Sequence, residues 1–159
     1  PVTASGATWA PNTITYSGNN RTHMIRVPGP GRFELRLMDG ATNPYLLQAG
    51  ILAAGIDGIE KKRNPGKPIN VNMYEDGHKV KGAKKLPLTL EKSLSHLNKS
   101  KVLKDAFSKE TINSYIKLKN KEIKKYQSSN TKKIGFKGSK QSAKKDIITQ
   151  WEKDNTLDC

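Results

Sequence analysis

The sequence has almost no cysteine: the single one, Cys159, is the last of 159 residues. An internal disulfide is therefore excluded, and a reducing cytoplasm fits the composition. No apolar run reaches the roughly 18 residues that predict a transmembrane helix, since the longest, residues 45–56, is interrupted by Gln48. No targeting segment is visible, and the sequence opens on Pro1 without an initiator methionine, so we treat it as part of a longer chain. These absences predict a cytoplasmic protein with no membrane partner.

Lysine is absent from the first sixty residues, where the only basic residues are Arg21, Arg26, Arg32 and Arg36. Four acidic residues balance them, so the formal charge of +15 belongs to the remainder, in which Arg63 is the single arginine among lysines. A planar guanidinium binds carboxylate and phosphate oxygens in pairs and stays charged at any relevant pH. A chain that uses lysine for solubility but arginine in one short window predicts a site for phosphoryl groups in that window.

Charged and apolar residues alternate along residues 31–39, as they do in a half-buried β-strand. Arg32, Glu34 and Arg36 would form one row with about 6.6 Å between neighbours. The apolar residues of the same strand are expected to face the core: Phe33, Leu35 and Leu37. A carboxylate between two guanidiniums suits a metal–phosphate site, and the alternative is a solvated strand face whose charges pair across strands.

The strand is preceded by residues 21–27 and by two Pro-Gly steps at residues 28–31, which predict an antiparallel hairpin. Arg21 and Arg26 are five positions apart, a spacing that would place them on opposite faces of a regular strand. Either Arg21 lies in the preceding loop or a bulge intervenes.

The rest of the chain carries helix signals. Asn43 and Pro44 are typical of a helix start, and the apolar segment at residues 45–59 predicts a helix that is buried on all sides. Thr89 and Ser108 open two amphipathic helices. These elements predict an α+β fold, in which an antiparallel sheet bears the site, a buried helix supports it and C-terminal helices pack outside.

Three sequence blocks stand in order around the hairpin: YSGNNRTHMIRVP at 16–28, RFELR at 32–36 and DGATNPY at 39–45. With the small-residue helix that follows, they resemble the C-terminal third of glutamine synthetases, over about residues 7–122. The tail at residues 150–159 is similar to the branch called type III and to gamma-glutamylmethylamide synthetases.

The resemblance implies a C-terminal portion of a glutamine synthetase catalytic domain at residues 1–126. The composition of residues 127–145, which are rich in Ser, Lys, Gly and Gln, predicts a lysine-rich flexible linker, and the apolar residues after it predict a helical tail at 146–159. It implies an ATP-dependent ligase in which L-glutamate attacks ATP and ammonia or a small alkylamine attacks the gamma-glutamyl phosphate. Mg²⁺ or Mn²⁺, ATP as co-substrate and a ring-shaped homo-oligomer come with the same resemblance. The isolated segment is expected to be inactive, because the rest of the site would lie outside it.

Carried over by position, the resemblance makes Glu34 a metal ligand, and a carboxylate oxygen is a ligand that Mg²⁺ and Mn²⁺ prefer. Arg21 would hold the transferring phosphoryl group, and Arg36 the substrate glutamate and the oxyanion that develops on it. These two are the expected catalytic residues, with Arg21 also touching glutamate. Arg21, Arg26 and Arg32 would bind the phosphates of ATP.

Two features depart from the family pattern. Residues 29–31 replace a longer loop whose lysine approaches ATP in most members. Trp9 stands where the family's flap over the amine site carries a glutamate that helps to deprotonate ammonium. An indole can exclude water and attract an alkylammonium by a cation–π contact, or Trp9 can simply anchor the loop.

A function of another class is a nucleic-acid-binding module built on the lysine-rich half. Lysine-rich segments are more often solvated than binding, so we expect no nucleic-acid partner. His23 has no second histidine or cysteine nearby in the sequence and is expected to be a hydrogen-bonding strand residue rather than a metal ligand.

Overall fold

The arginine-bearing hairpin is present in the computed structural model, which describes residues 11–129, 133–135, 147–149, 151, 154 and 155. The helices and strands, with a 3-10 turn at Gly77–Lys79 between α1 and α2, are β1 Tyr16–Ser17, β2 Ile25–Gly29, β3 Arg32–Leu35, α1 Pro44–Glu60, α2 Leu90–Lys99, α3 Lys101–Phe107, α4 Lys109–Ser128, β4 Lys133–Gly135 and β5 Ile147–Thr149. The predicted α+β fold class is confirmed.

The first sheet has the order β1-β2-β3, with β1 parallel to β2 and β2 antiparallel to β3. Arg26 lies opposite Glu34, and the register shifts between Arg26 and Gly29. Gly31 closes the turn at φ 72°, a left-handed conformation that glycine adopts without a steric penalty. The predicted antiparallel hairpin is therefore confirmed.

The described residues divide into two compact units. The sheet-bearing unit comprises residues 11–39, 66–88, 133–135 and 147–148, and the helical unit comprises the other described residues.

The interior of the sheet-bearing unit is largely polar. Met73 is 8% exposed, and the buried polar side chains are Thr13, Thr15, Ser17, Thr22 and His23. Three of these alternate along the chain that leads through β1, so they share one face of an extended segment. Hydrogen bonds therefore account for much of the order in this unit.

The apolar face predicted for the 31–39 strand is not buried. The strand ends at Leu35, Phe33 is 59% exposed and Leu37 is 39% exposed. A strand face is buried only where another layer packs on it, and the described part of the chain leaves these side chains open to solvent. The expectation that Phe33 and Leu37 face a core is wrong for this chain.

In the helical unit, hydroxyl side chains cap three helices. Thr89 accepts from the Lys92 N–H of α2 at 3.3 Å, and Ser108 accepts from the Thr111 N–H of α4 at 3.2 Å. Both predicted helix starts are confirmed. Ser100 caps α3 in the same way, and the buried apolar residues of the unit are Leu94 on α2 and Ile112 on α4.

Helix α1 begins as predicted: Pro44 is its first residue, and the Asn43 side chain accepts from the Leu46 N–H at 3.0 Å. Its last turn is held by Asp57, whose carboxylate pairs with Lys61 and lies 2.6 Å from the Arg63 Nε. The guanidinium of Arg63, followed by the Lys61 ammonium, lowers the pKa of Asp57.

Helix α1 is not buried, contrary to the prediction from its apolar composition. All residues of α1 are at least partly exposed, and Tyr45, Leu52, Ile56 and Ile59 are 53–81% exposed. These four share one face, because they are spaced by seven, four and three residues. A Cβ added to Gly50 would lie 3.9 Å from Leu103 and Phe107 of α3, so within this unit α1 is covered on one side only.

Most of the predicted linker (127–145) and tail (146–159) lies outside the described residues. Within the described part, α4 continues to Ser128, β4 pairs with β5, and the ring of Trp151 packs edge-on against Tyr126 with centroids 5.3 Å apart. The boundaries of these segments stay a prediction. None of the described helices combines the length and apolar character needed to span a bilayer.

Replacing the cap of α1 should weaken the fold measurably. We expect Asn43→Ala to lower the free energy of unfolding by about 1 kcal/mol, because it leaves the Leu46 N–H without its acceptor. Asn43→Asp keeps an acceptor and should be close to the parent, as should Asn113→Ala at an exposed position within α4. Equal midpoints of denaturant unfolding for the parent and Asn43→Ala would contradict the prediction.

Candidate active site

The hairpin brings three charged side chains into one row. Glu34 faces Arg26 across the β2–β3 ladder, and the Arg36 N–H continues that ladder by donating to the Met24 carbonyl at 2.9 Å. Because side chains two residues apart on a strand share a face, Glu34 and Arg36 lie side by side. The alternating pattern of the sequence therefore predicts the neighbouring positions of Glu34 and Arg36 correctly, whereas the third member of the row is Arg26 from the paired strand and not Arg32.

The carboxylate of Glu34 lies between two guanidiniums. Arg26 Nη1 donates to Oε2 at 2.7 Å, and Arg36 Nη1 donates to Oε1. Arg26 is further held by Asn19, whose side-chain oxygen accepts from Nε at 2.9 Å and from Nη2 at 2.5 Å. The orientation of Arg26 is thus fixed by contacts on both sides.

The same pairs set the ionisation of Glu34. The hydrogen bond from Arg26, followed by that from Arg36, holds the pKa of the carboxyl below its usual value. The side chain is 38% exposed, so both the charge and access to it are retained.

A cavity of about 370 Å³ opens on this row and is lined by Arg21, Arg26, Glu34 and Arg36. Arg21 lies in the turn before β2, which settles the question raised by its odd spacing from Arg26. Within the described residues the Arg21 guanidinium makes no hydrogen bond or ion pair. Three guanidiniums and one carboxylate give the lining a net charge of about +2, which favours an anionic ligand.

Arg32, the remaining arginine of the predicted set, does not line this cavity. It is the first residue of β3, pairs in register with Gly29 and is exposed. Trp9, predicted to lie at the amine site, falls outside the described residues. The roles assigned to the site residues stay predictions.

The residues present offer a divalent metal one oxygen donor of the right kind. Glu34 is ionised and partly exposed, as a ligand for Mg²⁺ or Mn²⁺ must be. Among the described residues, no group of three or more His, Cys, Asp or Glu side chains could complete a metal site. Glu34 therefore fits as one member of a ligand set.

Sequence reasoning missed two residues at this site. Asn19 orients Arg26, as given above, and Tyr74 lies within electrostatic reach of Arg36. Burial raises the pKa of Tyr74, and the positive charge of Arg36 acts in the opposite direction. The Asn19-Asn20 pair next to Arg21 was the available signal, because asparagine side chains commonly order neighbouring turns.

Two residues after Arg21, a buried histidine joins two other segments of the chain. His23 is fully buried, its Nδ1 lies 3.0 Å from Thr15 Oγ1, and its Nε2 lies 3.0 Å from the Val71 carbonyl oxygen. A carbonyl only accepts, so Nε2 carries the hydrogen and the neutral ring accepts the Thr15 hydroxyl proton at Nδ1. Burial lowers the pKa of His23, although the bond to Val71 opposes this effect. The prediction of a hydrogen-bonding role is confirmed, but His23 lies in the turn before β2 and not in a strand.

Comparisons with a family model, with known sequences and with solved structures agree on one protein family. Residues 5–135 match the glutamine synthetase catalytic domain. The chain is 50% identical over 158 residues to a glutamine synthetase of Rhizobium meliloti (strain 1021). The match covers 99% of this chain and 32% of that protein. It is 43% identical over 125 residues to a glutamate–methylamine ligase of Methyloversatilis universalis, covering 77% of this chain and 28% of that protein.

A solved structure described as "GmaS/ADP complex-Conformation 1" superposes with a TM-score of 0.74 at 46% identity, covering 100% of this chain and 32% of that one. The chain thus spans about a third of the length of the relatives that it matches.

The buried His23 predicts a pH dependence of stability. Its pKa is lowered in the fold, so between that value and the unfolded value of about 6.5 the unfolded chain binds more protons, and stability falls as pH decreases below about 6.5. One such group contributes at most about 1.4 kcal/mol per pH unit. Unfolding free energies at several pH values should show this slope in the parent.

The slope should be smaller in His23→Gln and unchanged in His78→Gln, which removes an exposed histidine. The same slope in the parent and in His23→Gln would contradict the prediction.

Proposed function

The chain belongs to the glutamine synthetase family, and from that premise we propose that it is the C-terminal part of an ATP-dependent ligase acting on L-glutamate. The reaction joins the side-chain carboxylate of glutamate to ammonia or a small alkylamine through a gamma-glutamyl phosphate. The observation that carries the proposal is the cavity lined by Arg21, Arg26, Glu34 and Arg36. We propose a cytoplasmic location and a ring-shaped homo-oligomer on the resemblance alone.

The charge of the cavity suits ATP. Arg26 keeps a fixed orientation through Asn19 and Glu34, so it can contact a phosphate without first becoming ordered. Arg21 is uncommitted within the described residues and would hold the transferring phosphoryl group. Arg32 would meet the nucleotide from the rim, since it is exposed outside the cavity lining.

Arg36 would hold the substrate glutamate and the oxyanion that develops on it. Its Nη1 is committed to Glu34, whereas its Nε is buried without a partner among the described groups. A buried donor without an acceptor is unfavourable, and an incoming carboxylate would satisfy it. Preorganised donors of this kind typically contribute a few kcal/mol to such a step.

Glu34 would be one ligand of Mg²⁺ or Mn²⁺. The bound metal would supply charge neutralisation of the ATP phosphates. The two arginines keep the carboxylate ionised and fixed in direction. Further ligands are expected from the part of the protein that the relatives carry outside the matched third.

The same missing part would cover α1. Tyr45, Leu52, Ile56 and Ile59 form an exposed apolar face, and the chain spans only 32% of the length of its relatives. We propose that the remainder of the catalytic domain packs on this face. The burial that the composition of α1 predicts would then be met in the complete protein.

Changing Glu34 tests the proposed site. In the full-length enzyme, Glu34→Gln should lower turnover by about a hundredfold or more, because it keeps the size and removes the charge. Divalent-metal affinity, measured by calorimetry, should fall as well.

Glu122→Gln is a matched control, since Glu122 is 40% exposed and paired with Lys119 at 2.8 Å, much as Glu34 is paired with its arginines. Near-normal turnover and metal affinity in Glu34→Gln would contradict the prediction and show that the charged residues of the hairpin serve only the fold.

The second substrate is ammonia or a small alkylamine, since the relatives include both a glutamine synthetase and a glutamate–methylamine ligase. Trp9 cannot deprotonate ammonium, but its ring could attract an alkylammonium with about 0.5–2 kcal/mol. We therefore expect the full-length enzyme to use methylamine at least as well as ammonia, as measured by phosphate release with each amine.

Trp9→Glu should shift the preference towards ammonia, and Trp9→Phe, which keeps an aromatic face, should shift it less. A parent that strongly favours ammonia, with a preference that Trp9→Glu leaves unchanged, would point to ordinary glutamine synthesis.

A further inference from the structure

The turn that carries Arg21 is tied on both sides to a second segment, residues 71–73. On one side of Arg21, the Asn20 amide Nδ2 donates to the Val71 carbonyl at 2.9 Å. On the other side, Thr22 Oγ1 accepts from the Met73 N–H at 2.9 Å. The immediate neighbours of Arg21 are thus anchored within two residues of each other on the opposite segment.

The anchors are also joined to one another. Asn20 Oδ1 accepts from the Thr22 N–H at 3.0 Å and from the Thr22 hydroxyl at 2.8 Å. The Val71 carbonyl, which accepts from Asn20, also accepts from Nε2 of the buried His23, whose other nitrogen meets Thr15. Every polar side chain of the turn next to Arg21 therefore has a partner in one connected network.

Arg21 differs in this respect from the other arginines of the cavity. Arg26 is oriented by its own side-chain contacts to Asn19 and Glu34, and Arg36 by its contact to Glu34. Within the described residues, the Arg21 guanidinium has no such contact. Its position over the cavity depends on the backbone of the turn.

We propose that Thr22 and His23 are positioning residues that hold Arg21 over the cavity by pinning its turn to residues 71–73. The role of Arg21 in this inference rests on the proposed function. A long side chain on an unpinned turn must lose backbone and side-chain freedom when it contacts a ligand. The backbone of a pinned turn is already ordered before the ligand binds, so this part of the entropy cost is not incurred on binding. The contact can then form at the right distance when the phosphoryl group is transferred.

The direction of the network supports this role over general stabilisation. Thr22 and His23 are buried at 6% and 0% exposure, and their side chains bond to Asn20, Met73, Val71 and Thr15, none of which lines the cavity. Neither residue lines the cavity. Their direct chain connection to the cavity is through Arg21, which lies between Asn20 and Thr22 and lines it.

The test is a double-mutant cycle in the full-length enzyme with Arg21→Ala as the second change. Thr22→Val removes the hydroxyl at nearly constant shape, His23→Leu removes both ring contacts, and His23→Gln keeps a donor for Val71. Tyr16→Phe is the matched control, because it removes a hydrogen bond to Gly66 O at 2.7 Å in the same unit without touching the turn. Single-turnover phosphate release and ATP affinity by calorimetry are measured for each variant.

We expect Thr22→Val and His23→Leu each to slow phosphate release about tenfold in the parent, and His23→Gln to recover part of the loss. In the Arg21→Ala background the same changes should have less than a twofold effect. Tyr16→Phe should leave release unchanged in both backgrounds. If His23→Leu fails to fold, Thr22→Val decides by the same criterion.

Equal effects of Thr22→Val in both backgrounds, or no effect beyond a lower melting temperature, would overturn the inference. If the parent releases no phosphate with glutamate and either amine, the proposed function fails. The calorimetric arm then decides the inference separately: coupling between residues 22 and 21 in ATP affinity supports it, and additive losses overturn it.

Discussion

The structure around the site depends on one carboxylate held between two guanidiniums. Three arginines around a cavity of about 370 Å³ repel one another, and Glu34 offsets part of that repulsion by pairing with Arg26 and Arg36. The pairing leaves a net positive cavity with fixed donors, and it keeps the carboxylate ionised. One residue therefore orders the site while remaining accessible to a cation.

The support behind this row is polar rather than apolar. Hydrocarbon packing is non-directional, whereas each hydrogen bond of the network through Thr15, Thr22 and His23 fixes a distance and an angle. A unit with Met73 as its buried large apolar residue can still hold its turns in place if buried donors and acceptors are paired. Directional support suits a site whose ligand contacts are themselves directional.

The exposed apolar side chains of this chain agree with the short share of its relatives that it spans. The chain matches about a third of its relatives' length, and α1 and the tip of the hairpin leave Tyr45, Ile59 and Phe33 largely exposed. Grouped exposed apolar side chains are a common feature of protein contact surfaces, which agrees with the proposal that the rest of the catalytic domain packs on α1. The helix caps and the ion-paired row form without such a partner, because their hydrogen bonds are local.

Local patterns in the sequence determined the elements that depend on near neighbours: the hairpin, the helix starts at Asn43, Thr89 and Ser108, and the pairing of Glu34 with Arg36. Alternation and capping act over two to four residues, so they can be recognised in the sequence alone. The tertiary structure alone decided that Arg21 lies in a turn over the cavity, that Arg32 lies outside it, and that α1 is covered on one side. It also decided that Val71 and Met73 anchor the arginine turn, because contacts across some fifty residues leave no periodic signal in the sequence.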